Sequence, residues 1–452
     1  MVGRDAARLA RVGLAAMEHR GIRSRVVDLD GAAVGHVRLP IVGVDDGHDQ
    51  PVVRGPWTVG FVGEVLDFRE RRPGAECDVD LVADTWADEG APGFRGFDGF
   101  WSVVAHDSRD GSMHVLVDYL AQKPMYVRER LPWDGSDFTA VASEPDALVA
   151  MGPVELDRVY LSSAVKWGYC PETWRTPYSC VRRMLPGEHA VVQAGRPVEL
   201  STVDPLVPTR MEYDELRREI VAAVRRRVES SDVPVACLVS GGLDSAIVHT
   251  LARRFGDVRS YHVENGELEQ CMRVAPDAEL LRCDDTSLSR ALGYMQEPVD
   301  LGSLVPQAAL SDAVGRAGGE RVCLTGDGAD ELFSGYGRAH RYDSQASDVW
   351  HELVGWHLPR LDRVMMRNRI EVRSPFLARR VAGAALMIPY SARMGKKVLR
   401  DLFRGDLPDG VADVLKRPLK TMSVEDDREA RSRELVKMFT RSLEDGGMLC
   451  RG

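Results

Sequence analysis

The sequence PVACLVSGGLDSAIVHTLARRF (residues 234–255) decides the fold of half of this chain. A short run of core-type residues, PVACLV, leads into two glycines and then into AIVHTLARRF, whose apolar residues recur at helical spacing. This order is typical of a strand, a glycine loop and a helix. A second unit of the same kind, ERVCLTGDGADELFSGY, occupies residues 320–336. Two such units predict a parallel sheet covered by helices, and therefore an α/β domain.

The first two hundred residues follow another pattern. Short β-type runs alternate with clusters of Gly, Pro and Asp, which predicts an α+β domain built on antiparallel sheet. The runs are VVDL (26–29), VGFVGEV (59–65), WSVVAHD (101–107), MHVLVDY (113–119), FTAVAS (138–143) and EHAVVQAG (188–195). A polar, proline-containing stretch at 195–211 precedes the first long helical pattern, at 213–231. We therefore place the two domains at 1–205 and 206–452, and expect the polar tail after about 424 to form a surface helix.

Composition narrows the classes of function. The chain has 452 residues, 44% hydrophobic and 28% charged, which is typical of a globular protein. A net charge of −10 without a basic tail excludes the phosphate-neutralising surface of a nucleic-acid binder. No apolar stretch approaches the roughly 20 residues that span a bilayer, and the N-terminus lacks a signal-peptide core. We expect a cytoplasmic protein that acts on a small molecule or a peptide; its oligomeric state stays open.

The loop Ser240–Ser245 carries the strongest chemical signal. Its glycines let the backbone approach a ligand, and the N–H groups at the start of the helix form an anion site. The alternative is a purely structural turn. The string S-G-G-x-D-S resembles the loop of N-type ATP pyrophosphatases, which transfer AMP to a substrate and release pyrophosphate. The residues expected to bind nucleotide here are Leu238, Ser240, Gly241, Gly242, Asp244 and Ser245.

The second loop, Leu324–Phe333, places carboxylates where a parallel sheet presents its ligand crevice. Asp244 and Asp330, one from each loop, are expected to hold Mg²⁺ that also binds phosphate oxygens. The alternative is that such carboxylates cap the following helix. We favour that alternative for Glu331.

Four segments together resemble the synthetase domain of the asparagine synthetase family. They are SGGLDS (240–245), LTGDGADELFSGY (324–336), IEVRSPFL (370–377) and GKKVLR (395–400), within a resemblance that covers residues 212–425. The resemblance implies a parallel-sheet PP-loop fold, similar to the adenine nucleotide α-hydrolases, and an ATP- and Mg²⁺-dependent ligase. It also implies that Val263 and Gly326 belong to the nucleotide site.

The N-terminal half resembles the class II glutamine amidotransferase domain of that family, which has an Ntn-hydrolase-like antiparallel sandwich. Its landmarks are His19-Arg20-Gly21, Arg38–Val42, Gln50-Pro51, Gly63-Glu64, Asp78, His106-Asp107 and Ala142–Glu144.

Departures from this resemblance shape the expected function. The family's nucleophilic cysteine is matched by Val2, its first strand is largely missing, and its oxyanion-hole asparagine is matched by Val62, which cannot donate a hydrogen bond to an oxyanion. The domain is therefore expected to be degenerate, to leave glutamine unhydrolysed and to serve in folding and packing. Arg38 would be a relic of the glutamine site.

A second departure is Asp327. Asparagine synthetases carry a glutamate here, whereas β-lactam synthetases carry a tyrosine that forms a dyad with a glutamate matched by Glu371. A carboxylate at 327 is either the general base for an attacking amine or an extra magnesium ligand, and both readings stay open.

Two lysines match family residues that stabilise developing negative charge. Lys396, in GKKVLR, matches a lysine on the phosphates. Lys420, in Lys416–Thr421, approximates the lysine of the later transition state, although the spacing is R-x-x-K rather than R-x-K. For both, the alternative is a solvated surface lysine. The predicted catalytic set is Asp327, Glu371, Lys396 and Lys420.

We therefore expect an AMP- and pyrophosphate-forming amide-bond synthetase without glutaminase activity. It would adenylate a carboxylate for attack by an amine held nearby, as in lactam closure in antibiotic-type metabolism. The alternatives are an ammonia-dependent asparagine synthetase, a lasso-peptide-type macrolactam cyclase and a non-catalytic nucleotide-binding scaffold. The acyl substrate stays open.

Overall fold

The computed structural model describes residues 5–133, 136–263, 267–281, 288–299, 301–317, 320–336, 350–413 and 428–449. Antiparallel strands fill the N-terminal half and parallel strands the C-terminal half. The strands are β1 Arg23–Leu29, β2 Ala32–Arg38, β3 Val52–Arg54, β4 Trp57–Val65, β5 Gly99–Asp107, β6 Met113–Val117, β7 Tyr126–Trp133, β8 Ser136–Ala142, β9 Val181–Arg183, β10 Glu188–Val192, β11 Glu199–Thr202, β12 Val235–Leu238, β13 Val258–Val263, β14 Glu279–Leu281, β15 Val322–Leu324 and β16 Glu371–Arg373.

The N-terminal half is an antiparallel sandwich, as predicted. A six-stranded sheet has the order β11-β10-β6-β5-β4-β3, a three-stranded sheet the order β8-β7-β9, and β1 pairs with β2. The buried Trp86 packs against this sheet, with its ring 6.0 Å from that of Trp57 on β4, and the buried Trp101 belongs to β5 itself. The helices of this half are α1 Ala6–Ala16, α2 Phe68–Arg71, α3 Asp78–Glu89, α4 Pro145–Val149 and α5 Arg158–Trp167.

The C-terminal half is built on one parallel sheet of order β14-β13-β12-β15-β16, which confirms the predicted α/β class. The central strand β12 is paired on both sides, and its four residues are almost wholly apolar, as expected for a strand covered by helices on both faces. The helices are α6 Tyr213–Glu229, α7 Leu243–Ala252, α8 Leu268–Val274, α9 Leu288–Met295, α10 Leu301–Ala317, α11 Ala329–Leu332, α12 Leu358–Met366, α13 Arg379–Ala385, α14 Tyr390–Arg393, α15 Lys397–Phe403 and α16 Arg428–Asp445.

The last helix, α16, joins the two halves. It forms where a surface helix was expected, but it packs against α5 of the N-terminal half. Leu435 and Phe439 are buried there, and the Phe439 ring lies 6.0 Å from that of Tyr178. The pattern of the tail therefore predicted the helix but not its docking, because most of its residues are polar.

Buried charges line the contact between the halves. Arg183 of β9 donates to Glu297 at 2.7 and 2.8 Å, and Arg363 of α12 donates to the same carboxylate at 2.8 Å. A second group links Arg20 to Glu144 at 2.7 Å and to Asp362 at 2.9 Å. Buried ion pairs of this kind require close geometry, so the two halves are fitted to one another.

The predicted boundary at 205/206 falls between the end of β11 at Thr202 and the start of α6 at Tyr213, and the domain limits stay a prediction. Within the described ranges, no helix has the length and apolar character needed to cross a membrane.

Candidate functional site

The first glycine loop joins β12 to α7 and is held by its own serines. Ser245 Oγ accepts a hydrogen bond from Ser240 N at 3.1 Å and lies 3.0 Å from Ser240 Oγ. Ser245 Oγ also donates to Gly242 O at 3.1 Å. Gly241 has φ +87°, a left-handed conformation that favours glycine. The loop therefore has a fixed shape at the start of α7, where helix N–H groups favour anions.

The second loop, which follows β15, lies directly against the first. A Cβ atom on Gly326 would stand 2.7 Å from Asp244 Cβ and 3.0 Å from Ser245 N. Only a residue without a side chain allows the two loops to approach this closely. The strand register Cys237↔Leu324 brings both loops to the same edge of the sheet, where ligands of parallel sheets bind.

Three predicted residues meet at this edge: Asp244, Asp330 and Lys396. The Lys396 ammonium lies 2.6 Å from Asp330 Oδ1 and donates a short hydrogen bond to Asp244 Oδ2. All three side chains are largely buried, with 13%, 8% and 4% exposure for Asp244, Asp330 and Lys396. The two carboxylates expected to bind metal and the lysine expected to bind phosphate thus form one cluster.

The backbone around Lys396 is shaped to deliver its side chain. Gly395 and Lys396 both have left-handed φ angles, +62° and +61°. Their N–H groups donate to Ser334 O at 3.0 Å and to Phe333 O at 3.2 Å, which ties the segment to the second loop. A Cβ on Gly335 would stand 2.0 Å from Asp330 Oδ1 and 2.1 Å from Lys396 Cε. Gly335 therefore makes the space in which the ion pair forms.

The side chains at this edge of the sheet fit the Mg²⁺ and ATP that the sequence implies. Carboxylate oxygens are the ligands that Mg²⁺ prefers, and Asp244 and Asp330 already surround a cation. Leu238 and Val263 end the neighbouring strands β12 and β13. His262 Nδ1 lies 2.7 Å from Val239 O and so ties β13 to the first loop. Residues predicted to bind nucleotide therefore share one edge of the sheet.

Asp327 and Glu371 have different surroundings. The Asp327 carbonyl accepts a short hydrogen bond from Ser374 Oγ, just beyond β16. Glu371 begins β16, opposite Val322, and its buried carboxylate lies 3.4 Å from Arg373 Nε and 3.8 Å from Lys123 Nζ. Glu371 thus faces the N-terminal half. The roles of both residues stay predictions.

A linked set at the second loop escaped the sequence analysis. Glu331 Oε1 accepts from Tyr336 Oη at 2.7 Å and lies 2.8 Å from His357 Nδ1. Burial alone would raise the pKa of Glu331, but the bonds from His357 and Tyr336 lower it to about 2. The carboxylate expected to cap α11 is therefore the centre of a buried polar group. His357 lies 26 residues further on, and no local pattern marks it.

The predicted catalytic residue Lys420 lies outside the described residues.

In the N-terminal half, the landmark residues line a small cavity of about 70 Å³. Val62, Glu64 and Arg38 all contribute to its wall. Arg38 donates to Asp49 Oδ1 at 2.8 Å and to the carbonyls of Val42, Gly43 and Asp45. Burial raises the pKa of Glu64 well above its usual value, partly offset by Arg373. Arg38 and Glu64 in the wall of this cavity therefore already have charged partners within the protein.

Comparison with protein families identifies the chain. The family described as asparagine synthase matches residues 215–357 and 349–446, which include both glycine loops and Lys396. The chain belongs to the asparagine synthase family. The glutamine amidotransferase domain model matches residues 2–201, the antiparallel half. Membership in the asparagine synthase family supports an ATP-dependent ligase.

Several curated relatives are similar over most of the chain. A putative glutamine-hydrolyzing asparagine synthetase of Methanocaldococcus jannaschii is 27% identical over 82% of this chain and 73% of its own length. Asparagine synthetase B of Escherichia coli is 24% identical over 88% of this chain and 76% of its own length. Asparagine synthetase 1 of Bacillus subtilis is 25% identical over 67% of this chain and 51% of its own length. The likeness to asparagine synthases thus extends over both halves.

Proposed function

We propose that this protein is an AMP- and pyrophosphate-forming amide-bond synthetase whose amine does not come from glutamine. It would adenylate a substrate carboxylate and hold an amine for attack, as in closure of a lactam by a β-lactam synthetase. The observation that carries the proposal is the convergence of Asp244, Asp330 and Lys396 beside the first glycine loop. Two carboxylates and a lysine at one edge suit the binding and charge neutralisation of a triphosphate.

Each residue has a distinct task in this proposal. Mg²⁺ held by Asp244 and Asp330 would neutralise charge on the phosphates, while the first loop orients them by N–H groups at the start of α7. Lys396 would stabilise charge that builds up as the carboxylate oxygen attacks the α-phosphorus and pyrophosphate leaves. Asp327, next to Gly326 on the second loop, would take the proton of the amine that attacks the acyl adenylate.

Two features of the N-terminal half support an amine source other than glutamine. Val62 contributes an apolar group to the wall of the cavity, at the position that the family resemblance matches to an oxyanion-hole asparagine. The Arg38 guanidinium is bonded to Asp49 and to carbonyls of its own segment, so recognition of a glutamine carboxylate would require those bonds to break. Both features lower the capacity of this half to bind glutamine and to stabilise an oxyanion.

An ammonia-dependent asparagine synthetase is the second candidate. The names of the similar proteins favour it, since those relatives are called asparagine synthetases. Asp327 favours it as well, because the family resemblance places a glutamate at that position. Aspartate would then be the acyl substrate, and free ammonia the nucleophile.

The release of AMP and pyrophosphate separates these candidates. Purified protein with Mg-ATP is incubated with aspartate and ammonium, with aspartate and glutamine, or with a small-molecule extract of the source organism. Release only with the extract supports the dedicated amide ligase and provides a fraction from which to isolate the substrate. Release with aspartate and ammonium, but not with glutamine, establishes the ammonia-dependent synthetase instead. Equal release with glutamine contradicts both.

A further inference from the structure

In the cluster of Asp244, Lys396 and Asp330, the Lys396 ammonium already lies between the two carboxylates that are expected to bind metal. Lys396 Nζ is 2.6 Å from Asp330 Oδ1 and forms a short hydrogen bond with Asp244 Oδ2. A divalent cation bound by the same two side chains would occupy the same small space. The lysine and the metal therefore compete for the two carboxylates.

We propose that Lys396 is a tethered cation that blocks metal binding in the nucleotide-free protein, so that Mg²⁺ enters only together with the phosphates of ATP. The proposal rests on the proposed function in so far as Asp244 and Asp330 are the metal ligands. Arriving phosphates supply the lysine with a new anionic partner, and its departure frees the two carboxylates for the metal. The metal alone provides no such partner.

The energetic cost of separating buried charges favours binding of Mg²⁺ together with the phosphates over binding of Mg²⁺ alone. The two buried carboxylates on either side of Lys396 repel each other, and the ammonium between them offsets that repulsion. Leaving a buried charge without its partner costs several kcal/mol, so metal that displaced Lys396 without offering it phosphate would leave the ammonium stranded. The Gly335 backbone borders the space beside Lys396 Cε, so the ammonium cannot move away on that side.

The local backbone also holds Lys396 in place before nucleotide binds. The residue keeps a left-handed φ of +61°, and its N–H donates to Phe333 O at 3.2 Å. Non-glycine residues in this conformation are strained and persist where the surroundings fix them. The lysine is thus tied to the second loop by its backbone and does not lie on a solvated helix face. Its neighbour Lys397 is 63% exposed and pairs with Asp401 on α15, and so provides a matched control.

The test uses Mn²⁺ as the probe and measures its binding by electron paramagnetic resonance. Full-length protein is titrated with Mn²⁺ alone and with Mn²⁺ plus α,β-methylene-ATP, in which the bond to be cleaved is blocked. We expect the wild type to bind Mn²⁺ tightly only with the nucleotide analogue. Lys396→Met should bind Mn²⁺ without nucleotide more tightly than the wild type by on the order of tenfold or more. Lys397→Met should match the wild type.

Two outcomes overturn the proposal. One is tight Mn²⁺ binding to the nucleotide-free wild type with an affinity equal to that of Lys396→Met. The other is a folded Lys396→Met protein that gains no Mn²⁺ affinity. If Lys396→Met fails to fold, amine labelling of the wild type with mass spectrometry decides, since Mg²⁺ alone should leave Lys396 as protected as it is without metal. Increased labelling with Mg²⁺ alone contradicts the proposal. These readouts do not depend on turnover, so failure to adenylate any carboxylate would count against the proposed function alone.

Discussion

Gly326 lies so close to Asp244 that a methyl group on the glycine would stand 2.7 Å from the aspartate Cβ. The two residues come from different loops, separated by about eighty residues of chain, and each loop follows its own strand of the parallel sheet. This contact sets the distance between the two carboxylates, Asp244 on one loop and Asp330 on the other, that surround Lys396.

Gly326→Ala is therefore expected to separate the two loops. The added methyl would meet Asp244 and the backbone of Ser245, neither of which is a flexible side-chain end. We expect a large loss of adenylation, measured by pyrophosphate exchange, with a smaller loss of thermal stability. Gly405→Ala is the control, because a Cβ at residue 405 would lie in open space. Normal exchange in Gly326→Ala would show that close contact of the loops is not required.

Asp244→Asn and Asp330→Asn each remove one negative charge while keeping the shape of the side chain. If both carboxylates hold Mg²⁺, each substitution should lower pyrophosphate exchange by on the order of a hundredfold or more, since charge on the transferred phosphate is no longer neutralised. The matched control is Asp401→Asn, which alters an exposed ion pair with Lys397. Wild-type turnover in either site variant would refute the metal assignment.

Asp327→Asn separates the two roles left open for this residue. A general base acts after the adenylate has formed, so its loss should spare pyrophosphate exchange and slow the appearance of the amide product. A metal ligand acts earlier, and its loss should reduce both steps equally. Measuring exchange and product on the same preparation distinguishes the two roles, and equal loss would assign Asp327 to the metal.

The sequence predicted the strand, glycine loop and helix correctly because that arrangement is encoded locally. Strand, loop and helix lie together in residues 234–255, and the position of Asp244 follows from its place at the start of the helix. Asp330 was assigned by the same logic, from a strand that precedes it directly. Lys396 was assigned by resemblance, and the structure brings it to both carboxylates.

Side-chain contacts between distant segments could not be predicted from the sequence. His357 approaches Glu331 from a separate part of the chain, so the expectation that Glu331 caps a helix missed its partners. The resemblance matched Glu371 to the glutamate of a dyad, but it did not indicate that Arg373 and Lys123 would lie beside the Glu371 carboxylate. Such contacts depend on how distant segments pack in three dimensions, and the periodicity of the sequence does not report this.

The dependence of thermal stability on pH should show whether Glu331 is ionised in the folded protein. Its pKa falls from 4.5 to about 2 in the folded protein, because hydrogen bonds from His357 and Tyr336 outweigh burial. A depressed carboxyl pKa contributes stability that is present above pH 4.5 and is lost as the pH falls through 2. Glu331→Gln should therefore lower the melting temperature by on the order of 5 °C at pH 7, and by less as the pH falls below 4.5. Glu269→Gln, on an exposed ion pair, is the control. A difference in melting temperature between Glu331→Gln and the wild type that stays the same from pH 6 to pH 3 would show that Glu331 is not ionised in the folded protein.

Arg183→Met is expected to loosen the contact between the two halves. Arg183 is buried, donates two hydrogen bonds to Glu297 across the interface and shares that carboxylate with Arg363. Its loss leaves Glu297 one cation short, and breaking one partner of a buried pair costs about 3–5 kcal/mol. Since buried apolar residues of both halves also share one hydrophobic cluster, the variant should still unfold cooperatively but at a lower temperature than the wild type. Arg182→Met is the control, because Arg182 pairs with Glu188 inside the N-terminal half. Differential scanning calorimetry measures both variants, and a single transition in Arg183→Met at the wild-type temperature would show that this pair does not couple the halves.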